Sequence, residues 1–218
     1  MKVKIQVPES LREISLEQYQ KYHKINTDAN QNSNFLLHKT VEIFCNLNLQ
    51  NVIKVQFNSV MEVVRIINDL FNKDAKLVPT FTMDGIAYGF VPDLDKITLG
   101  EYIDLDTTLG DWSNMHKAMA VLYRPITQSY KDKYTIEKYT GDKFSDMINM
   151  PMDAVFSSIL FFYHLGMELS TVMMNSLETQ EEEENLVQYL SSIESGDGIN
   201  QFGVYLDKML QDLKISLN

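Results

Sequence analysis

The chain has 218 residues, of which 44% are hydrophobic and 22% are charged, and its formal net charge at pH 7 is −11. This composition is typical of a globular protein with one or two cores and excludes an intrinsically disordered chain. From residue 144 onward, two lysines face twelve acids, a balance that predicts no direct nucleic-acid partner and no membrane partner.

The N-terminal third predicts a short strand followed by helices. Met1–Val7 alternates polar and branched apolar residues, as a half-buried strand does. Capping-box spacing predicts helix starts at Ser15–Gln18 and at Ser59–Glu62, because each serine is followed three residues later by Gln or Glu. We expect a further helix at about Phe35–Leu47 and a strand at Val52–Phe57.

The middle of the chain carries a β-hairpin signal. Asp84–Gly85 lies between two runs of β-favouring residues, and both residues tolerate the positive φ that a type I′ turn needs. Thr98–Glu101 has capping-box spacing and is expected to start a short helix. A second helix should begin at Asp111 and end at Arg124–Pro125, and Tyr134–Tyr139 alternates like a strand.

The longest predicted element follows Pro151, at about Met152–Leu177. Its centre is apolar all round but polar residues interrupt it, which favours a buried helix, or one shared between subunits, over a membrane span. Glu181–Glu184 predicts a solvated linker, with an acidic handle for a basic partner as the alternative. An amphipathic helix is expected from Asn200 onward.

These elements predict a mainly α fold with a small β component (α+β), in which helical bundle-like parts carry a β-hairpin insert. Three parts are expected. Residues 1–77 form a helical part with a short leading strand, residues 78–140 form the hairpin and short-helix part, and residues 141–218 form a helical part with an acidic linker. The pattern leaves open whether all three belong to one domain.

The sequence contains no recognised catalytic or metal-binding motif. The four histidines show no zinc-binding spacing, and a nucleophile elbow, a phosphate-binding loop and a dinucleotide fingerprint are absent. The single cysteine, Cys45, is expected to be a buried structural thiol. We therefore predict no catalytic residue, no metal and no cofactor. The alternative, a small hydrolase or transferase, requires a pocket that brings His116 or His164 to two carboxylates.

Five segments of the chain carry a resemblance to a known family: Ile5–Tyr19, Gly85–Ile126, Tyr134–Gly141, Met150–Met152 and Phe161–Leu169. Together they resemble a family of small proteins encoded among the virion-morphogenesis genes of tailed bacteriophages, including crAss-like phages. The resemblance implies a non-enzymatic role in building or forming the particle. It also implies a location in the virion or in the host cytoplasm. The N-terminal residues agree with this expectation, because they contain no apolar signal-peptide core.

Two roles remain open within that resemblance. The protein is either a permanent component of the neck, ring, connector or tail (or a packaged protein), or a tail assembly chaperone that shields tail-protein surfaces and leaves. The implied partners are other virion proteins, in a homo-oligomeric ring or a hetero-assembly.

Protein contacts are expected where aromatic, methionine and arginine side chains cluster on helices, because these residue types anchor interfaces. A run of acids is expected to steer a basic neighbour. The predicted contact residues are Trp112, Met115, Met119, Tyr123, Arg124, Phe161, Phe162, Met173, Met174, Glu181, Glu182, Glu183 and Glu184.

Overall fold

A computed structural model of the chain describes residues 5–31, 33–72, 75–131, 133–141 and 145–164. The fold is mainly α with a small antiparallel β component, as predicted. The helices are α1 (Leu16–Ile25), α2 (Asn34–Phe44), α3 (Leu49–Val52), α4 (Phe57–Phe71), α5 (Leu99–Thr108), α6 (Met115–Leu122) and α7, described over residues 152–164. The strands are β1 (Thr80–Met83), β2 (Ile86–Phe90), β3 (Tyr123–Tyr130) and β4 (Lys133–Ile136). Short 3-10 helices lie at Leu11–Glu13, Leu94–Lys96 and Ser145–Asn149.

Local capping signals placed two helix starts correctly and one wrongly. Helix α1 begins with a complete capping box, in which Ser15 Oγ accepts from Gln18 N and Gln18 Oε1 accepts from Ser15 N. Helix α5 begins in the same way. Helix α4 instead begins at Phe57, so Ser59 lies inside its first turn. A cap contributes about 1 kcal/mol, and burying the apolar face of a 15-residue helix outweighs it.

The predicted strand at Val52–Phe57 is wrong. The chain forms the short helix α3, which Asn48 caps by accepting a hydrogen bond from Asn51 N at 3.0 Å, and α4 follows after a turn. At the N-terminus, residues 5–7 of the predicted first strand have no regular structure, and residues 1–4 lie outside the described ranges.

The predicted hairpin is confirmed and belongs to a larger sheet. Asp84 and Gly85 have φ angles of 51° and 79° and connect β1 to β2. The sheet continues in the order β1-β2-β3-β4, with every neighbouring pair antiparallel. Helix α6 ends at Leu122, close to the predicted Arg124–Pro125 stop, and the chain then continues directly as β3, which the sequence did not predict. The predicted strand near Tyr134 is β4.

Beyond Ile136, residues 137–140 have no regular structure. The predicted long helix after Pro151 is present over its described part, residues 152–164. The predicted acidic linker and the last amphipathic helix lie outside the described residues. No helix within the described ranges is long and apolar enough to cross a membrane.

One hydrophobic cluster contains residues from the N-terminal helices, the sheet, α6 and the start of α7. Backbone hydrogen bonds join the two ends of the described chain, because Leu16 N donates to Met150 O and Met152 N donates to Ile14 O, each at 2.8 Å. Methionines fill much of this core, as their flexible side chains suit irregular gaps. Cys45 is buried as predicted, and burial raises the pKa of its thiol to about 11.

The sheet contains one close approach that depends on glycine. The hydroxyl of Tyr134 lies 2.9 Å from Phe90 O and 3.1 Å from Pro79 O, which holds the ring across Gly89. A Cβ at position 89 would clash with that ring. We therefore expect Gly89→Ala to lower the free energy of unfolding by about 1–3 kcal/mol.

Urea denaturation followed by circular dichroism measures this loss. The matched control is Gly100→Ala in α5, where an added Cβ meets nothing within 4 Å. Since alanine favours the helix over glycine, the control should gain about 0.5–1 kcal/mol. Equal stability of the two variants would contradict the close approach at Gly89.

Candidate interaction surface

Four of the predicted contact residues lie in the core of the chain, where they pack against other residues of the same chain. Trp112, Met115, Met119 and Tyr123 are only 0–3% exposed. The ring of Trp112 packs 4.4 Å from that of Tyr19, measured between centroids. Helical spacing correctly placed the α6 side chains on one face, but that face packs within the same chain.

The aromatic pair on α7 also packs inward. Phe162 is buried, and the half-buried Phe161 packs edge-on against Phe90 of β2, with 5.6 Å between ring centroids. The remaining predicted contact residues, Met173, Met174 and Glu181 to Glu184, lie outside the described residues.

Arg124, predicted as an interface anchor, forms an ion pair within the chain. Its Nη1 lies 2.7 Å from Glu101 Oε1, and the two side chains are only 13% and 6% exposed. The other carboxylate oxygen, Glu101 Oε2, accepts hydrogen bonds from Thr98 N and Thr98 Oγ1, both at 2.7 Å. One glutamate therefore caps the first turn of α5 and ties that helix to β3.

The protonation states match this geometry. Burial by itself raises the pKa of Glu101, but the hydrogen bonds from Thr98 and the charge of Arg124 outweigh it, so the pKa lies below its ordinary value. One turn further along α5, Tyr139 donates to Asp104 Oδ2 at 2.6 Å. Burial, followed by this carboxylate, raises the pKa of Tyr139, so its hydroxyl keeps the proton that it donates.

These contacts hold the inner side of α5, where Leu105 and Leu109 are buried, and leave an apolar outer side. Leu99, Tyr102 and Ile103 are 75%, 47% and 51% exposed. They lie three and four residues apart, so they share one face of the helix, and Asp106 continues that row. We call Leu99, Tyr102, Ile103 and Asp106 the α5 surface.

The α5 surface is strongly acidic. Residues 93–111 contain six carboxylates and one lysine. That lysine, Lys96, pairs with Asp93 at 2.6 Å, and Glu101 pairs with Arg124. The exposed Asp106 lies on the row itself, and the exposed Asp95 and Asp111 flank α5 in the sequence, so this part of the chain carries a net negative charge.

A second group of exposed apolar side chains lies on α3, on the turn that follows it and on the first turns of α4. Leu49, Ile53, Phe57 and Met61 recur every four residues and are 43–62% exposed. Residues 43–61 contain no carboxylate and one base, the exposed Lys54. We call Leu49, Ile53, Phe57 and Met61 the α3–α4 surface.

Sequence reasoning missed both surfaces. The signal on α5 was present, because Leu105 and Leu109 already supply one apolar stripe and Leu99, Tyr102 and Ile103 supply another. A surface helix needs only one buried stripe, so a second one indicates a contact. On α3 and α4 the same side chains had instead been assigned in part to a strand.

A small cleft beside Arg124 bears on the enzyme alternative. It encloses about 40 Å³, which holds only a few water molecules. Its walls include Arg124, Glu137, Tyr139 and Asp146, and no histidine is among the described residues that line it. The cleft therefore does not bring a histidine to two carboxylates, which the enzyme alternative requires.

The two histidines named in that alternative lie elsewhere. His116 Nδ1 is 3.4 Å from Gln20 Nε2, and burial, followed by the charge of Lys117, lowers the pKa of His116. His164 is exposed on α7. Within the described part of the chain, no group of three or more His, Cys, Asp or Glu side chains is placed to hold a metal ion.

Comparisons of the chain with protein-family models, with curated proteins and with solved structures find no match.

Proposed function

We propose that this protein is a non-enzymatic assembly element of a tailed-bacteriophage particle, and that it packs against other proteins through the α5 surface. The observation that supports this most is the exposure of Leu99, Tyr102 and Ile103 on one face of a helix whose other face is already buried. Removing apolar surface from water is the main driving force of protein association. An apolar face with a polar rim is typical of an interaction site.

The way α5 is held also supports this role. The Glu101–Arg124 ion pair and the Tyr139–Asp104 hydrogen bond fix its inner side to the rest of the fold. A helix that is fixed before binding loses less conformational freedom when a partner docks. The α5 surface is therefore suited to a defined geometry of assembly.

A tail assembly chaperone is the second candidate. The acidic residues in and beside the α5 surface, with Asp95, Asp106 and Asp111 exposed, favour a partner that combines apolar and basic side chains. A chaperone that covers such a segment of a tail protein would use the same surface, but only transiently.

Quantitative mass spectrometry of purified virions tests the function. A permanent component should be present at a fixed ratio to the major capsid protein. A chaperone should be missing from mature particles but should cross-link, through lysines near α5, to a tail protein in infected cells. Absence from both the particles and the assembly intermediates would contradict the proposal.

A phage variant sharpens this test. We expect Leu99→Gln/Ile103→Gln in the phage gene to reduce incorporation into particles, because it removes apolar contacts while leaving the core intact. The control is Tyr130→Gln, which removes a side chain that is 75% exposed at the end of β3 and belongs to neither surface. The control should be incorporated like the unmodified chain.

A further inference from the structure

We propose that the α5 surface of one copy docks on the α3–α4 surface of a second copy, so that the chains associate head to tail. This inference rests on the proposed assembly function and names the partner of its surface.

The two surfaces belong to separate parts of the fold. Helix α5 packs on α6, whereas α3 and α4 pack on α2. A copy that binds a neighbour through one surface therefore keeps the other surface for a further copy. An interface between two different patches propagates into a closed ring or an open filament, depending on the rotation between neighbours.

The two surfaces match in apolar character. Each is a row of large side chains, Leu99 with Tyr102 and Ile103 on one, and Ile53 with Phe57 on the other, among residues that are at least 43% exposed. Side chains spaced three or four residues apart on one helix, such as Leu99 with Tyr102 on α5 and Phe57 with Met61 on α4, form the ridges through which helices pack on one another. Docking removes both rows from water at once.

Charge decides which surfaces pair. Two α5 surfaces would bring together two copies of the exposed Asp106, with the exposed Asp95 and Asp111 in the flanking segments, and like charges placed opposite each other oppose association. The α3–α4 surface has no carboxylate in residues 43–61, and it carries the exposed Lys54. An acidic apolar face therefore fits it better than it fits a second acidic face.

Two charged residues of α4 that follow Met61 also affect the charge match between the two surfaces. The exposed Arg65 lies four residues after Met61, on the same side of the helix, and adds a base to the row. The exposed Glu62 follows Met61 directly, but one residue turns an α-helix by about 100°, so its carboxylate leaves the row. The exposed Lys54 precedes α4, so Arg65 is the base that shares the row and is available to Asp106 of the neighbour.

The test uses the full chain and two surface variants. The α5 variant is Leu99→Gln/Ile103→Gln, and the α3–α4 variant is Ile53→Gln/Phe57→Gln. Sedimentation velocity over a dilution series gives the mass of each species. The unmodified chain should grow in mass with concentration, and each variant alone should stay monomeric because one half of every interface is missing.

Mixing the two variants gives the decisive result. Each variant keeps the surface that the other lacks, so the mixture should form a heterodimer that stops at two chains. Tyr130→Gln should associate like the unmodified chain. Far-UV circular dichroism and thermal unfolding check that all variants are folded.

A charge reversal in the mixture of the two variants tests which charged positions face each other across the interface. Asp106→Lys in the chain that contributes α5 should weaken the heterodimer roughly tenfold, and Arg65→Glu in the other chain should recover most of that loss. No recovery would contradict the pairing of these two positions.

The inference is overturned if the unmodified chain is monomeric across the series, if either variant alone still associates, or if the mixture stays monomeric. A symmetric interface between two α5 surfaces gives the second of these results, because the Ile53→Gln/Phe57→Gln variant keeps its α5 surface. Mass spectrometry of virions does not depend on any of these three outcomes. If the chain is present in particles at a fixed ratio but does not self-associate in solution, the assembly function stands and the self-association proposal is wrong.

Discussion

Replacing Trp112 by alanine should lower the free energy of unfolding by about 3–5 kcal/mol, because the substitution removes a large buried side chain and leaves a cavity. Trp112 is 3% exposed, and its ring contacts Tyr19 and His23 of α1. It joins the start of α6 to α1, where Gln20 Nε2 also donates to Trp112 O at 2.6 Å. The loss should appear as a lower midpoint in urea denaturation of the isolated chain.

The matched control separates a core role from an interface role. Tyr102→Ala also removes a large aromatic side chain, but from a position that is 47% exposed, so stability should change by no more than about 0.5 kcal/mol. Tyr102→Ala should instead weaken self-association. A Trp112→Ala chain that unfolds like the unmodified protein would show that Trp112 is not part of the core.

Local chemistry made several parts of the fold predictable. The Ser15 and Thr98 capping boxes and the Asp84–Gly85 turn are each decided by hydrogen bonds or φ angles within four residues. Other elements depend on distant partners. Strand β3 follows α6 without a loop, and its strand conformation is stabilised by pairing with β2 and β4, which no local pattern encodes.

The candidate site was harder to predict for a related reason. Helical spacing shows that Met115, Met119 and Leu122 share a face, but it cannot show whether that face packs within the chain or against another one. Aromatic and methionine side chains serve both purposes. In this chain they pack inside, and the exposed apolar residues include those of α5 and of the α3–α4 surface, which composition alone did not single out.

Glu101 takes part in both a local contact and a contact that is distant in sequence. From the sequence it is only the last residue of a capping box, at helix position N3, and such a cap contributes about 1 kcal/mol. In the fold the same carboxylate also pairs with Arg124, which lies 23 positions later on β3. The position of the α5 surface therefore depends on an ion pair that no local pattern predicts.

Glu101→Gln should lower the free energy of unfolding at pH 7 by about 3 kcal/mol, because it leaves a largely buried guanidinium without its counter-charge. The amide can still accept from Thr98, so most of the loss belongs to the ion pair rather than to the cap. Adding Arg124→Met should recover part of the stability, since the double variant has no unpaired charge. Asp106→Asn, on the exposed side of the same helix, is the control and should change stability little.

The stability difference between the unmodified chain and the Glu101→Gln variant should change with pH in a definite direction. The pKa of Glu101 is lowered in the fold, so the unfolded chain takes up a proton first as the pH falls. The stability that the carboxylate contributes is complete above its unfolded pKa of about 4.3 and is lost as the pH falls through the lower folded value. The urea midpoints of the unmodified chain and of the Glu101→Gln variant should therefore show their full difference at pH 7 and approach each other in acid. A gap that stayed constant down to the lowest pH at which both chains fold would mean that the carboxylate charge is not what holds α5 in place.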